Sequence, residues 1–393
     1  MTEYQFQAEK NYIKPLGRTV FQDGIRWCAL SGSGIAFTVS GTILGFTLAG
    51  DDATPTGTVR SYHHDGSAVT VTDCPELPKQ EPEPEFARAA VLVDGVPLVT
   101  ATIAARTTCI TLTLPEPPTP HEIRLVKLTE APMSLFGIRL ITTDGTLSPA
   151  PDAAFRLEII GDSITCGYGV EASRAEEPFS TRTENVMEAY SYLTAKALSA
   201  DYSIVSFSGY GILSGYTTAD EPLRSQLVPD YYDLVGYSRG RVNGLAVTNV
   251  PWNFSEWKPD CIVINLGTND DSYCKGIAER EEQFIEETVR FLKTIREKNP
   301  SAYLLYAFGV MLDRMYPVIE QAVARFRQET GYEKISTLRL TTHTEADGFG
   351  ADWHPSPKAQ QRTATELTQR LRELFSFSDA SRTEAVPERS LQK

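Results

Sequence analysis

The hydrophobic pattern changes near Phe155, and this change constrains the fold more than any other feature of the sequence. After that residue, short apolar segments alternate with longer segments of helical spacing. The apolar segments are residues 157–160, 203–207, 261–266, 303–308 and 335–340. Strands that alternate with helices are typical of a parallel sheet covered by helices on both faces. The second half of the chain is therefore predicted to be an α/β domain.

Helical spacing marks the segments between and after these strands. They are residues 183–200, 279–300, 317–331 and about 357–374. The pattern is clearest in the second segment, where the apolar residues fall on one helical face: Phe284, Ile285, Val289, Phe291, Leu292 and Ile295. Such a face is expected to pack against the sheet.

Residues before about 150 alternate with a period of two instead. Apolar residues alternate with small or polar ones in runs such as Ile35, Phe37, Val39 and Leu44, Phe46, Leu48. This period predicts strands that each bury one face, and many short strands with glycine-rich and proline-rich connections favour a β-sandwich of the jelly-roll type. We expect a sandwich domain at 1–150, an α/β domain at 151–376 and a polar tail at 377–393, with a linker at 147–155.

Composition excludes some partners. The net charge of −14 repels phosphate groups, so no nucleic-acid partner is expected. No segment has the roughly 18 apolar residues that a membrane span needs, so no membrane partner is expected. The first residues lack the apolar core of a signal peptide, which predicts a cytoplasmic protein. The oligomeric state stays open.

The cysteines are scattered and include no CxxC pair. They are Cys28, Cys74, Cys109, Cys166, Cys261 and Cys274. This spacing argues against a zinc cluster and against a disulfide framework, and it favours isolated thiols.

Gly161, Asp162 and Ser163 directly follow the first apolar strand of the second half. These residue types are common in turns, so a simple loop is one interpretation. The other is a nucleophile, because ligands of open α/β sheets bind beyond the carboxyl ends of the strands. The rest of the chain has to decide between them.

Polar residues and glycines also follow other strands of this half. Gly209 and Gly211 follow the second strand, Asn269 follows the third, and His354 follows the last. Hydrolytic acyl transfer needs such a set, because a serine hydroxyl requires a base and the tetrahedral oxyanion requires hydrogen-bond donors. The sequence therefore indicates a hydrolase site at this edge of the sheet.

Each residue also has a purely structural interpretation. Asn269 can cap a turn, the glycines can serve backbone geometry alone, and His354 can be a surface histidine. Of the five histidines, only His343 and His354 lie near a strand end in the second half. The occurrence of all four signals in one order favours the functional interpretation.

The ordered motifs resemble those of a known family. "GDS", the glycine after the second strand, "GTND" and a late "HP" resemble the four blocks of SGNH (GDSL-type) hydrolases. With a β-sandwich in front, "SGSGIAF", "IIGDSITCGYG", "SGYGI", "INLGTND" and "DWHPS" resemble carbohydrate esterase family 2. The resemblance covers nearly the whole chain. It implies a jelly-roll domain followed by a three-layer α/β/α hydrolase domain, which removes O-acetyl groups without a metal or a cofactor.

The resemblance also implies residue roles. Ser163 corresponds to the nucleophile, whose backbone N–H is one oxyanion donor, and His354 to the base. Asn269 corresponds to a second oxyanion donor. Trp353 corresponds to an aromatic residue that stacks on a sugar, although packing of the loop remains an alternative.

The third oxyanion donor is harder to assign. The second block of the SGNH pattern usually reads Asn-x-Gly-x-x-Gly, and Ser206, Ser208 and Gly211 stand at those spacings here. This alignment favours Gly211 as the donor, with Gly209 as the alternative.

One departure concerns the acid that orients the base. The SGNH pattern has an acid three residues before the histidine, where this chain has Ala351, and Asp352 is only two residues before His354. In an extended segment, residues i and i+2 lie about 6–7 Å apart on the same side, so Asp352 needs a sharp turn to reach the imidazole. Asp352 is kept as a candidate catalytic residue, and a Ser–His dyad or a triad both stay open.

The expected substrate is an acetylated oligosaccharide of the xylan or mannan type, hydrolysed by a serine esterase through an acyl-enzyme. A lipid or thioester hydrolase on the same fold is an alternative, but the polar and aromatic segment at 213–240 argues against an apolar tunnel. A non-catalytic carbohydrate-binding protein is another alternative. The presence of Ser163, Asn269 and His354 argues against it.

Overall fold

The computed structural model describes residues 2–5, 12–74, 85–115, 120–241, 244, 246–375 and 377. Strands dominate the first half, as the period of two predicts. In chain order they are β1 (Thr2–Gln5), β2 (Lys14–Leu16), β3 (Thr19–Gln22), β4 (Ile25–Cys28), β5 (Gly34–Ser40), β6 (Ile43–Gly50), β7 (Val59–His64), β8 (Val69–Cys74), β9 (Arg88–Val93), β10 (Val96–Thr102), β11 (Thr107–Thr113), β12 (His121–Lys127), β13 (Phe136–Thr143) and β14 (Thr146–Pro149).

These strands form two sheets. The larger sheet has the order β3-β4-β13-β6-β11-β7-β8, with β1 paired to β13, and the smaller has the order β10-β9-β12-β5-β14, with β2 paired to β5. Both sheets contribute to one apolar core, in which the rings of Phe37 and Phe46 have centroids 6.1 Å apart. The predicted β-sandwich is confirmed, whereas its jelly-roll connectivity stays a prediction.

The prediction of a linker at 147–155 is wrong for its first residues. Leu147 and Pro149 belong to β14, which pairs antiparallel with β5. β14 is the last strand in its sheet, where a proline is tolerated because one side of the strand needs no N–H donor. The connection between the two domains is therefore shorter than the sequence indicated.

The second half is the predicted α/β domain. Its strands are β15 (Arg156–Gly161), β16 (Asp201–Ser206), β17 (Cys261–Asn265), β18 (Tyr303–Phe308) and β19 (Ile335–Arg339). Its helices are α1 (Ser163–Cys166), α2 (Tyr190–Ala197), α3 (Thr268–Cys274), α4 (Ala278–Lys298), α5 (Tyr316–Thr330) and α6 (Pro357–Leu374). The strands are all parallel, in the order β16-β15-β17-β18-β19.

Helices cover both faces of this sheet. Ile262 and Leu304 pack in one core with residues of α4 and α5, whereas Val263 and Leu305 pack in another with residues of α2 and α6. Neighbouring residues of one strand thus enter opposite cores, as strand geometry requires. The predicted three-layer α/β/α architecture is confirmed.

Two helical segments differ from the prediction. The segment 183–200 contains a single helical turn at Val186–Glu188, which is followed by α2. The start of α2 is anchored to α6, because the Tyr190 N–H donates to Gln360 Oε1 at 2.8 Å. The seven-residue helix α3 directly follows β17 and was not predicted. Seven residues are too few to show helical spacing clearly.

The end of the chain lies mostly outside the described residues. Of the predicted polar tail at 377–393, only Phe377 is described, and its ring packs against Phe155 with centroids 4.9 Å apart. Within the described residues, no helix is both long enough and apolar enough to cross a membrane.

Candidate active site

The turn after β15 presents Ser163 at the carboxyl edge of the parallel sheet. A Cβ atom on Gly161 would lie 2.0 Å from Thr165 Oγ1, so only glycine fits at this position. The Asp162 carboxylate accepts the Ile164 N–H at 3.1 Å and caps α1. Ser163 is the first residue of α1. Gly161 and Asp162, which also suit a simple turn, therefore fix the position of the Ser163 hydroxyl.

His354 lies within hydrogen-bond distance of this hydroxyl. Its Nε2 is 2.9 Å from Ser163 Oγ, and its Nδ1 is 3.1 Å from the Ala351 carbonyl oxygen and 3.2 Å from that of Asp352. With the proton on Nδ1, the ring donates to the carbonyls and Nε2 accepts from Ser163. Burial lowers the pKa of His354 to about 4, which keeps the ring neutral near pH 7. The structure thus brings the predicted nucleophile and base together.

The Asp352 carboxylate points elsewhere. The backbone does turn sharply, with φ of 49° at Asp352 and 57° at Trp353, but the turn brings the Asp352 carbonyl to the imidazole. The carboxylate instead accepts the Tyr168 hydroxyl at 2.6 Å, and the Tyr168 ring stacks on His354 with centroids 4.0 Å apart. The structure therefore shows no direct hydrogen bond between this carboxylate and the base, and Tyr168 contacts both of them.

A cavity of about 680 Å³ opens beside the Ser163 hydroxyl. Trp353 and Tyr216 both line it, and their side chains are 53% and 60% exposed. Met311 and Leu312, from the loop after β18, add an apolar part to its wall. The cavity thus offers aromatic faces, which suit a sugar ring, next to the candidate nucleophile.

Asn269 also lines this cavity. Its Nδ2 donates to the Tyr210 carbonyl oxygen at 2.9 Å and lies 3.4 Å from Asp162 Oδ2. These contacts fix the side-chain amide, which is almost completely buried. The structure therefore places the predicted amide donor in the same cavity as Ser163.

The preference for Gly211 as a donor is corrected by the structure. The Gly211 N–H donates to the Gln226 carbonyl at 3.2 Å, so it is already engaged. Gly209 lines the cavity instead, with a φ of +80°. Within the described part of the chain, the backbone N–H groups of Gly209 and Ser163 have no hydrogen-bond partner. Gly209, the alternative candidate, therefore lines the cavity with a backbone N–H that is not engaged elsewhere.

A fully buried carboxylate explains why glycine stands at 211. Asp270 Oδ1 accepts the backbone N–H groups of Ile212, Leu213 and Ser214 at 3.0, 2.6 and 2.9 Å. A Cβ on Gly211 would lie 2.6 Å from Asp270 Oδ2. Burial raises the pKa of Asp270 to about 6. The fourth residue of "GTND" thus holds the loop after β16, a role that the sequence analysis missed.

A second acid in this region is also fully buried. Burial, with a smaller effect from the charge of Asp270, raises the pKa of Asp162 to about 7. Asp162 and Asp270 thus lie under the site with partly suppressed charges, where they hold α1 and the loop after β16.

Potential metal ligands among the described residues form one group behind the site. The ligand atoms of Glu130, Cys166 and Glu184 lie within 4.8 Å of one another and are buried. Lys127 Nζ donates to the Glu130 carbonyl at 2.9 Å, so a positive charge already lies beside the two carboxylates. The five cysteines whose side chains are described are free thiols.

The comparison with family models covers this domain. Residues 159–362, more than half of the chain, match the model of the GDSL-like lipase/acylhydrolase family. The chain belongs to this family. The match includes Ser163, Asn269 and His354.

Curated relatives are carbohydrate-active enzymes. The chain is 31% identical over 286 residues to the cellulase/esterase CelE of Acetivibrio thermocellus, an alignment that covers 70% of this chain and 33% of CelE. It is 30% identical over 271 residues to an acetylxylan esterase/glucomannan deacetylase of Cellvibrio japonicus, with coverage of 65% and 70%. The chain thus spans a third of the length of CelE.

A solved structure extends the likeness to both domains. The family two carbohydrate esterase from Clostridium thermocellum, solved in complex with cellohexaose, is 26% identical with a TM-score of 0.74. The superposition covers 92% of this chain and 98% of that chain. The resemblance to carbohydrate esterase family 2 that the motifs indicated is confirmed.

Proposed function

We propose that this protein is a serine esterase that removes O-acetyl groups from oligosaccharides of the xylan or mannan type. The contact of 2.9 Å between Ser163 Oγ and His354 Nε2, beside a cavity lined by aromatic side chains, carries this proposal. Relatives named acetylxylan esterase/glucomannan deacetylase support the substrate class.

The reaction follows from these contacts. Ser163 Oγ attacks the acetyl carbonyl carbon while its proton passes to His354 Nε2. The tetrahedral intermediate collapses, the imidazolium protonates the departing sugar oxygen, and the acetyl group stays on Ser163. Water, deprotonated by His354, then attacks the acetyl carbonyl carbon of the acetyl-enzyme. The bond to Ser163 Oγ breaks, acetate leaves, and the imidazolium returns its proton to Ser163 Oγ. Serine and histidine thus act as a dyad, with the ring held through Nδ1 by the backbone carbonyls of Ala351 and Asp352.

The oxyanion of each intermediate needs donors that are already in place. We assign this role to the N–H groups of Ser163 and Gly209 and to the Asn269 side-chain amide, whose long contact of 3.4 Å with Asp162 Oδ2 is the one that an oxyanion would replace. All three residues line the cavity, and the amide is held by its contact with the Tyr210 carbonyl.

Replacing Asn269 with alanine should lower kcat by roughly 10²–10³-fold, the usual effect of losing one oxyanion donor. KM for 4-nitrophenyl acetate should change little, because this bond is strongest in the transition state. Steady-state kinetics and the melting temperature measured on the same preparation check the result. A change confined to KM would make Asn269 a substrate-positioning residue instead.

Replacing Asp352 with asparagine should cost far less than the roughly 10⁴-fold loss in kcat seen where an aspartate orients the histidine. The reason is that Nδ1 contacts backbone carbonyls, which this substitution retains. Tyr168→Phe is the matched control, since it removes the hydroxyl group that donates a hydrogen bond to the Asp352 carboxylate. We expect similar small losses for both variants. An asparagine variant as inactive as Ser163→Ala would establish a full triad.

Replacing Trp353 with alanine should affect sugar substrates selectively. Stacking of an aromatic ring contributes about 0.5–1.5 kcal/mol, or up to roughly tenfold in kcat/KM. This loss is expected for acetylated xylo-oligosaccharides and not for 4-nitrophenyl acetate, which has no pyranose face. Equal losses on both substrates would show that Trp353 only holds the loop of His354.

The proposed function itself is tested by substrate range. Acetyl, butyryl and octanoyl esters of 4-nitrophenol should be hydrolysed with falling kcat/KM, and acetyl thioesters more slowly than oxygen esters. Product mapping by NMR on acetylated xylan and mannan oligosaccharides then identifies the sugar and the hydroxyl. A preference for octanoyl esters would instead support a lipid hydrolase with Met311 and Leu312 as the acyl wall, and binding without hydrolysis would support a carbohydrate-binding protein.

A further inference from the structure

We propose that Glu130, a residue of the β-sandwich domain, is a positioning residue for the oxyanion hole of the α/β domain. The inference rests on the proposed function, because it concerns the turn that carries the Gly209 donor. It assigns to the first domain a direct part in the reaction of the second.

The key contact crosses the boundary between the two domains. Glu130 lies between β12 and β13 and is fully buried. Its Oε2 accepts the Ser208 N–H at 2.8 Å, and Ser208 directly precedes Gly209. The carboxylate thus binds the N–H next to the one that is assigned to the oxyanion.

The bound segment is a tight turn. The Tyr210 N–H donates to the Phe207 carbonyl at 3.3 Å, and Gly209 has a φ of +80°, as the third residue of a type II turn requires. The turn is attached to the sheet because the Phe207 N–H donates to the Gly161 carbonyl at 3.3 Å. The bond to Glu130 adds a second point of attachment, which fixes the direction of the turn and therefore of the Gly209 N–H.

Glu130 is itself held on several sides. Its N–H donates to Glu184 Oε1 at 3.0 Å, and its carbonyl accepts from Lys127 Nζ at 2.9 Å. Lys127 is fully buried and also donates to the Thr129 carbonyl at 2.7 Å. A shift of Glu130 would leave buried polar groups without partners, which is unfavourable. The backbone of Glu130 is therefore fixed at the place from which its side chain reaches the turn.

Two conservative variants separate reach from charge. Glu130→Gln retains the length of the side chain and an oxygen that accepts the Ser208 N–H, but it cannot ionise. Glu130→Asp retains the carboxyl group but is one methylene shorter, so its oxygens withdraw from the Ser208 N–H. We expect kcat on 4-nitrophenyl acetate to stay close to wild type in the glutamine variant. In the aspartate variant kcat should fall by roughly 10–100-fold, the scale of a misplacement of about 1 Å, while KM changes little.

The affinity for phenylboronic acid provides a readout that a purely structural role would not move. Its tetrahedral adduct with Ser163 directs an oxygen toward the oxyanion donors, so its Kd should rise by the same factor as kcat/KM falls. Asp51→Ala is the matched control. Asp51 is a buried carboxylate of the same domain that accepts from the Ser134 hydroxyl at 2.9 Å and the Leu135 N–H at 3.0 Å. This control should lower the melting temperature and leave kcat and the boronate Kd close to wild type.

The outcomes separate this inference from the proposed function. Wild-type protein without activity on acetyl esters would overturn the proposed function. An active wild type whose aspartate variant retains kcat and boronate affinity would overturn the role of Glu130 alone. Equal losses in the glutamine and aspartate variants would also overturn it, since they would show that keeping the length of the side chain does not keep the activity. If kcat falls in proportion to the melting temperature in every variant, including Asp51→Ala, Glu130 has only a structural role.

Discussion

Replacing Ser163 with alanine should abolish ester hydrolysis, with a loss in kcat of roughly 10⁴–10⁶-fold, as expected when the nucleophile of a serine hydrolase is removed. The hydroxyl lies 2.9 Å from His354 Nε2, and no alanine atom can take its place in forming the acyl-enzyme. Residual turnover should come only from binding and from the oxyanion donors, which the substitution retains. Hydrolysis of 4-nitrophenyl acetate at saturating concentration measures the effect.

Folding should not change in this variant, because the substitution removes one small, buried oxygen whose described partner is His354. The melting temperature of the variant checks this point. Ser272 lines the same cavity and serves as the matched control. Its hydroxyl donates to the Asn269 carbonyl at 2.6 Å rather than to the base, so Ser272→Ala should retain most of the activity.

The acetyl-enzyme provides an independent measurement. Wild-type protein quenched during turnover of 4-nitrophenyl acetate should carry one acetyl group on the peptide that contains Ser163, whereas the alanine variant should carry none there. Activity above a few per cent in the variant, or an acetyl group on another residue, would contradict the proposed serine mechanism.

The positions of Ser163 and His354 were predictable because parallel strands place their carboxyl ends along one edge. Each residue that follows such a strand comes close to the others, whatever the length of chain between them. The hydrophobic pattern gave the five strands within two residues of their observed bounds. The pattern places the nucleophile and the base, 191 residues apart in sequence, at one edge of the sheet, and the ordered motifs then assign their roles.

The details of the loops were not predictable for a physical reason. Spacing favoured Gly211 as a donor, but which N–H is free depends on how the loop after β16 folds back so that the Gly211 N–H contacts the Gln226 carbonyl. Likewise, the positive φ of Asp352 turns its carboxylate toward Tyr168, and no periodicity reveals such a backbone conformation. An aromatic residue five positions after Ser163 was visible, but nothing in the sequence indicated that it stacks on the base.

Replacing His354 with alanine should lower kcat nearly as much as replacing Ser163, because an unassisted hydroxyl is a poor nucleophile near neutral pH. Serine and histidine act as a unit, so the double variant should be no worse than either single one. His343→Ala is the matched control. This half-buried histidine also follows strand β19. Its ring packs against Phe349, with ring centroids 5.1 Å apart, rather than against Ser163. The control should therefore retain most of the activity.

The pH dependence adds a test that depends on the sign of one pKa shift. His354 accepts a proton only when its ring is neutral, and burial lowers its pKa to about 4 because the buried site disfavours the imidazolium. The nearby Asp352 charge and the carbonyls of Ala351 and Asp352 favour the charged ring but do not outweigh burial. The acid limb of kcat/KM that reports His354 should therefore lie well below pH 6.5, near pH 4. An acid limb near 6.5 that is unchanged in His354→Ala would show that another group is the base.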